Sequence, residues 1–184
     1  SMHVSARLYY LGPCGSGGGF REWLCAQGWS THSAPDRWLV RDRECTIPEV
    51  CPPEVRRVDA ATAPLATIAQ SDGAWSAREI EHCLRSSGRY HLLVGYVGDR
   101  PVSWASVQDL PGGLARVDDV LTIEPERRRG YSRQVMRALV RYHEQQIGGT
   151  LYLYAQDPVA IRVYEAAGFS CLEEGLEFWS AWRD

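Results

Sequence analysis

Residues 114–156 constrain the fold more than any other part of the sequence. LARVDDVLTI opens this segment as a predicted strand, because it is rich in the branched apolar residues that favour extended backbone. An amphipathic helix of about 17 residues is predicted from Gly130, and LYLYAQ then predicts a buried strand. Such a strand–helix–strand forms a right-handed crossover between parallel strands. The apolar face of the helix consists of Val135, Met136, Leu139, Val140 and Ile147.

The segments on either side predict a mixed α/β architecture. YHLLVGYVGDRPVSWASVQ predicts a hairpin that turns at Gly98-Asp99. Short strands are predicted at RWLVRD and VRRVDA, helices at residues 60–70, 76–86 and 158–167, and a last strand pair after Phe169. Ser76 and Glu79 form a capping-box pattern at the start of one helix. Hairpins combined with a crossover predict an α+β (mixed α/β) fold with a mostly antiparallel central sheet flanked by helices. No internal repeat is evident.

The chain is expected to divide into an N-terminal extension, residues 1–53, and a domain, residues 54–184. The extension combines a glycine-rich loop, GPCGSGGG, with a short helix at FREWLCAQG and the strand RWLVRD. The loop is not a phosphate-binding P-loop, because no Gly-Lys-Ser/Thr follows it. The extension is expected to pack on the domain, because its apolar residues are too many for a disordered arm.

Composition and charge limit the classes of function. Hydrophobic residues make up 45% of the 184 residues, and the net charge is −3. A negative net charge argues against a general nucleic-acid or anionic-membrane binder. No apolar run approaches the ~18 residues of a membrane span, and no signal peptide is visible, so a cytoplasmic protein is expected, as a monomer or homodimer. The six cysteines lack C-x-x-C spacing, so reduced thiols are expected rather than a metal site, although His3 and His32 lie near four of them.

Three consecutive arginines, Arg127 to Arg129, precede the predicted helix at Gly130. Cations are unfavourable at a helix N-terminus by roughly 0.3–1 kcal/mol each, so their position calls for an explanation. A bound phosphate would make the arrangement favourable, because backbone N–H groups and arginines both bind phosphate oxygens. The alternatives are a solvated basic loop paired with Glu124 and Glu126, and a nucleic-acid site extended by the basic stripe Arg133, Arg137 and Arg141.

Two motifs resemble the GCN5-related N-acetyltransferase (GNAT) family. RRRGYS at residues 127–132 is similar to its pyrophosphate-binding Q/R-x-x-G-x-G/A signature, and the preceding VLT, 120–122, to its usual V-x-V/T strand end. DPVAIRVYEAAGF, 157–169, is similar to N-x-x-A-x-x-x-Y-E-x-x-G-F. The resemblance covers about residues 54–184. Ser132 replaces a second small residue, and Asp157 replaces Asn, where it is either a cofactor contact or a helix cap.

The resemblance implies that acetyl-CoA binds where two parallel strands splay apart, here the strands ending near Thr122 and Gln156. Backbone groups of the first strand would pair with the pantetheine arm, and the arginine turn would hold the pyrophosphate. No metal is implied. The cofactor-binding residues implied in this way are Val120, Leu121, Thr122, Arg127, Arg128, Arg129, Gly130, Tyr131, Ser132, Asp157 and Tyr164.

Three residues are candidates for catalysis. Tyr164 falls on the motif position that serves as general acid in many relatives; alternatively, it is a packing residue of an amphipathic helix. Asp118 and Asp119 are adjacent on one strand, so their side chains are expected on opposite faces, with Val120 on the face of Asp118. Asp118 is the preferred base or water-positioning residue, and Asp119 a substrate-amine or structural ligand. Both could also be plain strand-edge charges.

The function implied by the resemblance is acyl-CoA-dependent transfer of an acetyl group to a primary amine by direct attack. The acceptor is expected to be a small cationic molecule or a peptide amine. Trp23, Trp29, Trp75 and Trp104 are candidates for the acceptor side, although core packing explains them equally well. The alternative function is a non-catalytic module that binds or senses acyl-CoA, or an interaction module on the same fold.

Overall fold

The computed structural model describes residues 6–13, 17–33, 37–172 and 176–183. Within them the chain forms a seven-stranded sheet, a three-stranded sheet and five α-helices. The strands are β1 (Ala6–Pro13), β2 (Ser30–Ser33), β3 (Arg37–Arg41), β4 (Glu54–Val58), β5 (Tyr90–Val97), β6 (Arg100–Leu110), β7 (Leu114–Thr122), β8 (Thr150–Ala155), β9 (Phe169–Cys171) and β10 (Leu176–Arg183). The helices are α1 (Gly18–Ala26), α2 (Leu65–Asp72), α3 (Ala74–Ser86), α4 (Tyr131–Tyr142) and α5 (Pro158–Ala166).

The larger sheet confirms the prediction of a mixed, mostly antiparallel sheet with helices on both faces. Its strand order is β4-β5-β6-β7-β8-β3-β9, and β7 and β8 form its parallel pair. These two strands are paired only at their beginnings, where Leu114 to Arg116 face Thr150 to Tyr152. β7 then continues to Thr122 and β8 to Ala155 without further pairing to each other, so the two strands separate toward their carboxyl ends.

Two clusters of buried side chains pack against the two faces of the larger sheet. The helices α4 and α5 cover one face, where the predicted stripe of α4 is buried with residues of β6, β7 and β8. The helices α2 and α3 cover the other face, on the half of the sheet formed by β4 to β7. The second cluster contains Val58, Ile68, Ala77, Ile80, Tyr90, Leu92, Val94 and Trp104.

One N-terminal strand and one C-terminal strand each insert between two strands from the opposite part of the chain, an arrangement that the sequence did not predict. β1, α1 and β2 form a strand–helix–strand unit into which β10 inserts, giving the order β1-β10-β2. β8, α5 and β9 form an equivalent unit into which β3 inserts, giving β8-β3-β9. Both inserted strands are antiparallel to their neighbours. The chain therefore contains a structural repeat, and the predicted last strand pair is wrong, because β9 and β10 belong to different sheets.

Several predicted element boundaries also differ from the structure. The capping box is absent: Ser76 lies inside α3, and its hydroxyl donates to the carbonyl of Asp72. The predicted 17-residue helix is α4 followed by a π-helical turn at His143–Ile147. Residues 14–16 of the glycine-rich loop lie outside the described residues. The boundary predicted at residue 53 falls between β3 and β4. No helix in the described part of the chain is long and apolar enough to cross a membrane.

Candidate active site

A cavity of about 640 Å³ lies between the end of β7 and the N-terminal ends of α4 and α5. It occupies the space that opens where β7 and β8 separate, on the face covered by α4 and α5. Ten of the residues implied by the resemblance line it: Val120, Leu121, Thr122, Arg127, Arg128, Gly130, Tyr131, Ser132, Asp157 and Tyr164. Two motifs distant in sequence thus meet at one cavity.

The turn before α4 has the backbone geometry of an anion site. Arg128 and Gly130 have positive φ angles of 65° and 81°, a left-handed backbone conformation that also occurs in the backbone nests that bind anions. The N–H groups of Tyr131, Ser132 and Arg133 open the helix and have no acceptor in the preceding turn. The space around Gly130 is open, so glycine is required for its backbone angle rather than for its size.

The three arginines make different contacts. The Arg127 Nε donates to the carbonyl of Thr122 at 3.2 Å, so its guanidinium lies at the end of β7. Arg129 lies outside the cavity and pairs with Glu126 at 3.1 Å. Glu126 is buried and also pairs with Arg100 at 2.6 Å. Arg128 forms no ion pair with any described residue, and it lines the cavity. The loop-pairing alternative therefore accounts for Arg129 and leaves Arg128 unexplained.

Asp157 and Tyr164 meet the cavity from α5. The Asp157 carboxylate accepts a hydrogen bond from the N–H of Val159 at 2.8 Å, so it caps the helix, as one of the two alternatives predicted. Tyr164 is 93% buried, and its ring makes an edge contact with Phe169. Burial, with the nearby charge of Asp157, raises the pKa of Tyr164 to about 12, so its phenol stays protonated at neutral pH.

A β-bulge changes the faces of the two aspartates. Ser106 is opposite Asp118 and Trp104 is opposite Leu121, so two residues of β7 face one residue of β6. Asp119 is one of them, with φ of 52°. Its Oδ2 accepts hydrogen bonds from the hydroxyls of Tyr90 and Ser106, each at 2.7 Å, so its carboxylate lies on the face of α2 and α3.

Asp118 lies on that same face, so the predicted separation of the two aspartates is wrong. Its neighbour Val117 is buried in the α4 cluster, and Val120 packs against that cluster too, so Asp118 shares no face with Val120. The Arg116 Nε donates to Asp118 Oδ2 at 2.6 Å. Burial nevertheless raises the pKa of Asp118 above its usual value, with Arg116 opposing and Asp119 reinforcing the shift. Neither aspartate lines the cavity; both flank the strand gap from the opposite face.

Some predicted residues lie elsewhere, and others were missed. Trp104 is fully buried in the core, Trp29 packs on the small sheet, and Trp23 is exposed on α1. Arg133, already noted in the basic stripe, lines the cavity. Glu126, already named as a possible partner of the arginines, lines it too. Further lining residues that the sequence did not single out are Val159, Ala160, Arg162 and Val163. These residues of the second motif are three to four positions apart, and that spacing places them on one face of α5 with Tyr164. The spacing could therefore have identified them from the sequence. The described residues contain no group of side chains arranged to bind a metal ion.

The comparisons with known proteins identify the family and the fold of the chain. The family model described as Acetyltransferase (GNAT) family matches residues 57–169. This match covers more than half of the chain, and the chain therefore belongs to the GNAT acetyltransferase family. No curated protein matches it by sequence.

Solved structures share the fold at low sequence identity. A putative GNAT acetyltransferase from Novosphingobium aromaticivorans has 17% identity and a TM-score of 0.63, with 96% of this chain and 73% of that chain covered. A Drosophila protein has 16% identity and a TM-score of 0.73, with 96% and 60% covered. An aminoglycoside acetyltransferase from an uncultured soil sample, solved with sisomicin, has 13% identity and a TM-score of 0.50, with 62% and 86% covered.

Proposed function

We propose that this protein transfers an acetyl group from acetyl-CoA to a primary amine of a small cationic molecule or a peptide. The observation that carries the proposal is a cavity lined together by the end of β7, the open N-terminus of α4 and Tyr164. Acetyl-CoA, when bound, supplies the acetyl group as an activated thioester. The cavity fits such a donor, because unpaired N–H groups and Arg128 offer hydrogen bonds to a pyrophosphate at one end.

The residues around the strand gap would supply the remaining chemistry. The reaction forms an N–C bond and breaks the C–S bond, so the amine must lose a proton and the sulfur must gain one. An alkylammonium has a pKa near 10 and cannot attack until it is deprotonated. Asp118, whose pKa burial raises, is the proposed base or water-positioning residue on the acceptor face. Asp119, held by Tyr90 and Ser106, is proposed as a structural residue that fixes the bulge.

Tyr164 is the proposed general acid for the departing sulfur. Its protonated phenol lines the cavity beside the end of β7. A thiol has a pKa of about 8.5, which is lower than the raised pKa of the Tyr164 phenol, so proton transfer from the phenol to a free thiolate is unfavourable. The proton must therefore move as the C–S bond breaks, in a site that disfavours the thiolate. Backbone N–H groups at the end of β7, on the edge that no longer pairs with β8, are proposed to stabilise the oxyanion.

The test is release of free thiol from acetyl-CoA in the presence of a panel of amines. The panel contains a simple alkylamine, a polyamine, a peptide with a free N-terminus and an aminoglycoside, because one similar structure is that of an aminoglycoside acetyltransferase. Thiol release that depends on an amine, with an acetylated product, supports the proposal. CoA binding without acetyl transfer to any amine would instead support the alternative, a non-catalytic module that binds acyl-CoA.

A further inference from the structure

Arg116 lies where the gap between β7 and β8 begins. It is the register partner of Gln108 on β6 and of Tyr152 on β8, and the pair with Tyr152 is the last one before β7 and β8 separate. Its two neighbours in the chain are buried in the α4 cluster, so its side chain projects from the opposite face of the sheet. Asp118, two residues further along β7, lies on that same face. The guanidinium therefore reaches the proposed base along the strand.

The ion pair leaves the two oxygens of Asp118 in different environments. The Arg116 Nε donates to Asp118 Oδ2 at 2.6 Å, and the Arg116 Nη2 donates to Gln108 Oε1 at 3.4 Å. Asp118 Oδ1 has no hydrogen-bond donor among the residues that the structure describes. The Asp118 side chain is 23% exposed, so water or an amine can reach it. One oxygen is therefore held, and the other is free to accept a proton.

Folding stability does not account for this ion pair. Both side chains are partly exposed, and such pairs contribute little to stability, because water screens the charges and holding two long side chains costs entropy. The pair is distinguished by its position, at the strand gap and on the acceptor face, rather than by its strength.

We propose that Arg116 is a positioning residue, which holds Asp118 by Oδ2 so that Oδ1 takes the proton of the acceptor amine. The inference rests on the proposed acetyl transfer. An N–H bond of the ammonium breaks and an O–H bond forms at Oδ1, directly or through one water, so the nitrogen lone pair becomes free to attack the thioester carbonyl. The carboxyl then passes the proton to solvent on its exposed side.

Arg116 also sets the pH range of this step. The titratable side chains near the ion pair and its bulge come from β5, β7, β8 and α3 and are Tyr90, Asp119, Tyr152, Tyr154, Glu79 and Cys83. Burial raises the pKa of Tyr90 and of Cys83, so both stay protonated near neutral pH. A cation lowers the pKa of a nearby carboxyl, and Arg116 is the cation in this group. Removing it therefore raises the pKa of Asp118, and the acid side of the pH profile of kcat/KM moves to higher pH.

The test measures kcat/KM for thiol release from acetyl-CoA between about pH 5 and about pH 10, with the four amines of the panel. The variants are Arg116→Gln, which removes the charge, Arg116→Lys, which retains it, and Arg116→Gln combined with Asp118→Asn. Arg56→Gln is the matched control, because the Arg56 Nε donates to Glu54 at 2.7 Å in an exposed pair of the same spacing on β4. The ratio of variant to wild type cancels the titration of the amine, which is the same in every reaction.

Arg116→Gln is expected to lower kcat/KM about tenfold near neutral pH and to move the acid side of the profile up by about one pH unit. Its deficit should shrink at about pH 10, where the amine is already free, and this recovery shows that the variant is folded. Arg116→Lys retains most of the activity, Arg56→Gln retains all of it, and CoA affinity measured by calorimetry is unchanged in every variant. In the Asp118→Asn background, Arg116→Gln changes kcat/KM by less than about twofold, because it acts through Asp118.

Two results overturn the inference and leave the proposed function intact. One is an acid side of the profile that does not move in Arg116→Gln, and the other is an equal loss of kcat/KM with and without Asp118. Arg116→Met, which is uncharged and of similar length, takes the place of Arg116→Gln if that variant does not fold. A wild type that releases no thiol with any of the amines overturns the proposed function, and the inference with it.

Discussion

The arginine turn gives the sharpest prediction, because the structure separates its members. Arg128 lines the cavity and has no ionic partner among the described residues, whereas Arg129 turns away to Glu126. We therefore expect Arg128 to contribute to CoA binding and Arg129 to contribute little. The sequence alone gave no reason to distinguish them.

The perturbation is Arg128→Gly, with Arg129→Ala as its control. Glycine adopts the φ of 65° without strain, so the substitution removes the guanidinium while preserving the turn. A hydrogen bond to a charged group contributes about 1.5–3 kcal/mol, and every 1.4 kcal/mol is a factor of ten in Kd. Arg128 is exposed, so the lower end applies and Kd should rise about tenfold. Arg129→Ala should change Kd by less than about twofold, since Arg100 still neutralises Glu126.

Isothermal titration with CoA measures both effects, at low and at high salt. The loss from Arg128→Gly should shrink as salt is added, because exposed charges are screened. Equal losses in the two variants, or no loss in Arg128→Gly, would refute the assignment of this turn to the pyrophosphate.

Three further predictions concern the residues on β7 and α5. Tyr164→Phe should keep CoA affinity and lower kcat by about 10²–10⁴, the usual worth of a positioned acid; an unchanged kcat in the thiol assay makes Tyr164 a packing residue. Asp118→Asn should lower kcat/KM most near neutral pH and least at high pH, where more amine is free; the same deficit at every pH speaks against a base. In the wild type, kcat/KM should fall with acidification at a higher pH than for an ordinary aspartate, because the active carboxylate has a raised pKa. Tyr90→Phe should reduce the free energy of unfolding by about 1–3 kcal/mol in urea titrations, because Asp119 loses a buried donor; a change within about 0.5 kcal/mol would contradict the role of this bond.

Most of the central fold could be predicted from local sequence patterns. The apolar spacing of α4 and the flanking β-rich runs predict the crossover, and that crossover brings β7 and β8 together in parallel. Periodicity suffices for these elements because each one shows its own buried face. The resemblance to the GNAT family, rather than periodicity, placed the arginine turn and Tyr164 at one site, and both line one cavity.

The strand exchange and the bulge could not be predicted in this way. Alternation in β3 and β10 shows that they are strands, but it does not identify their partners, and β3 pairs with strands more than a hundred residues later. The bulge at Asp119 depends on a left-handed backbone angle that aspartate tolerates but does not signal strongly. The bulge matters to the candidate site, because it brings the two carboxylates to the same face.

The central claim is that the end of β7 and the start of α4 hold the acyl donor. Amide hydrogen exchange, resolved by residue and measured with and without CoA, tests it most directly, because the claim concerns backbone N–H groups. CoA should slow exchange at Val120 to Thr122 and at Arg128 to Ser132, while the amides of α1 remain unchanged. If CoA binds and the amides of these two segments exchange as fast as in the free protein, the account of the site is contradicted.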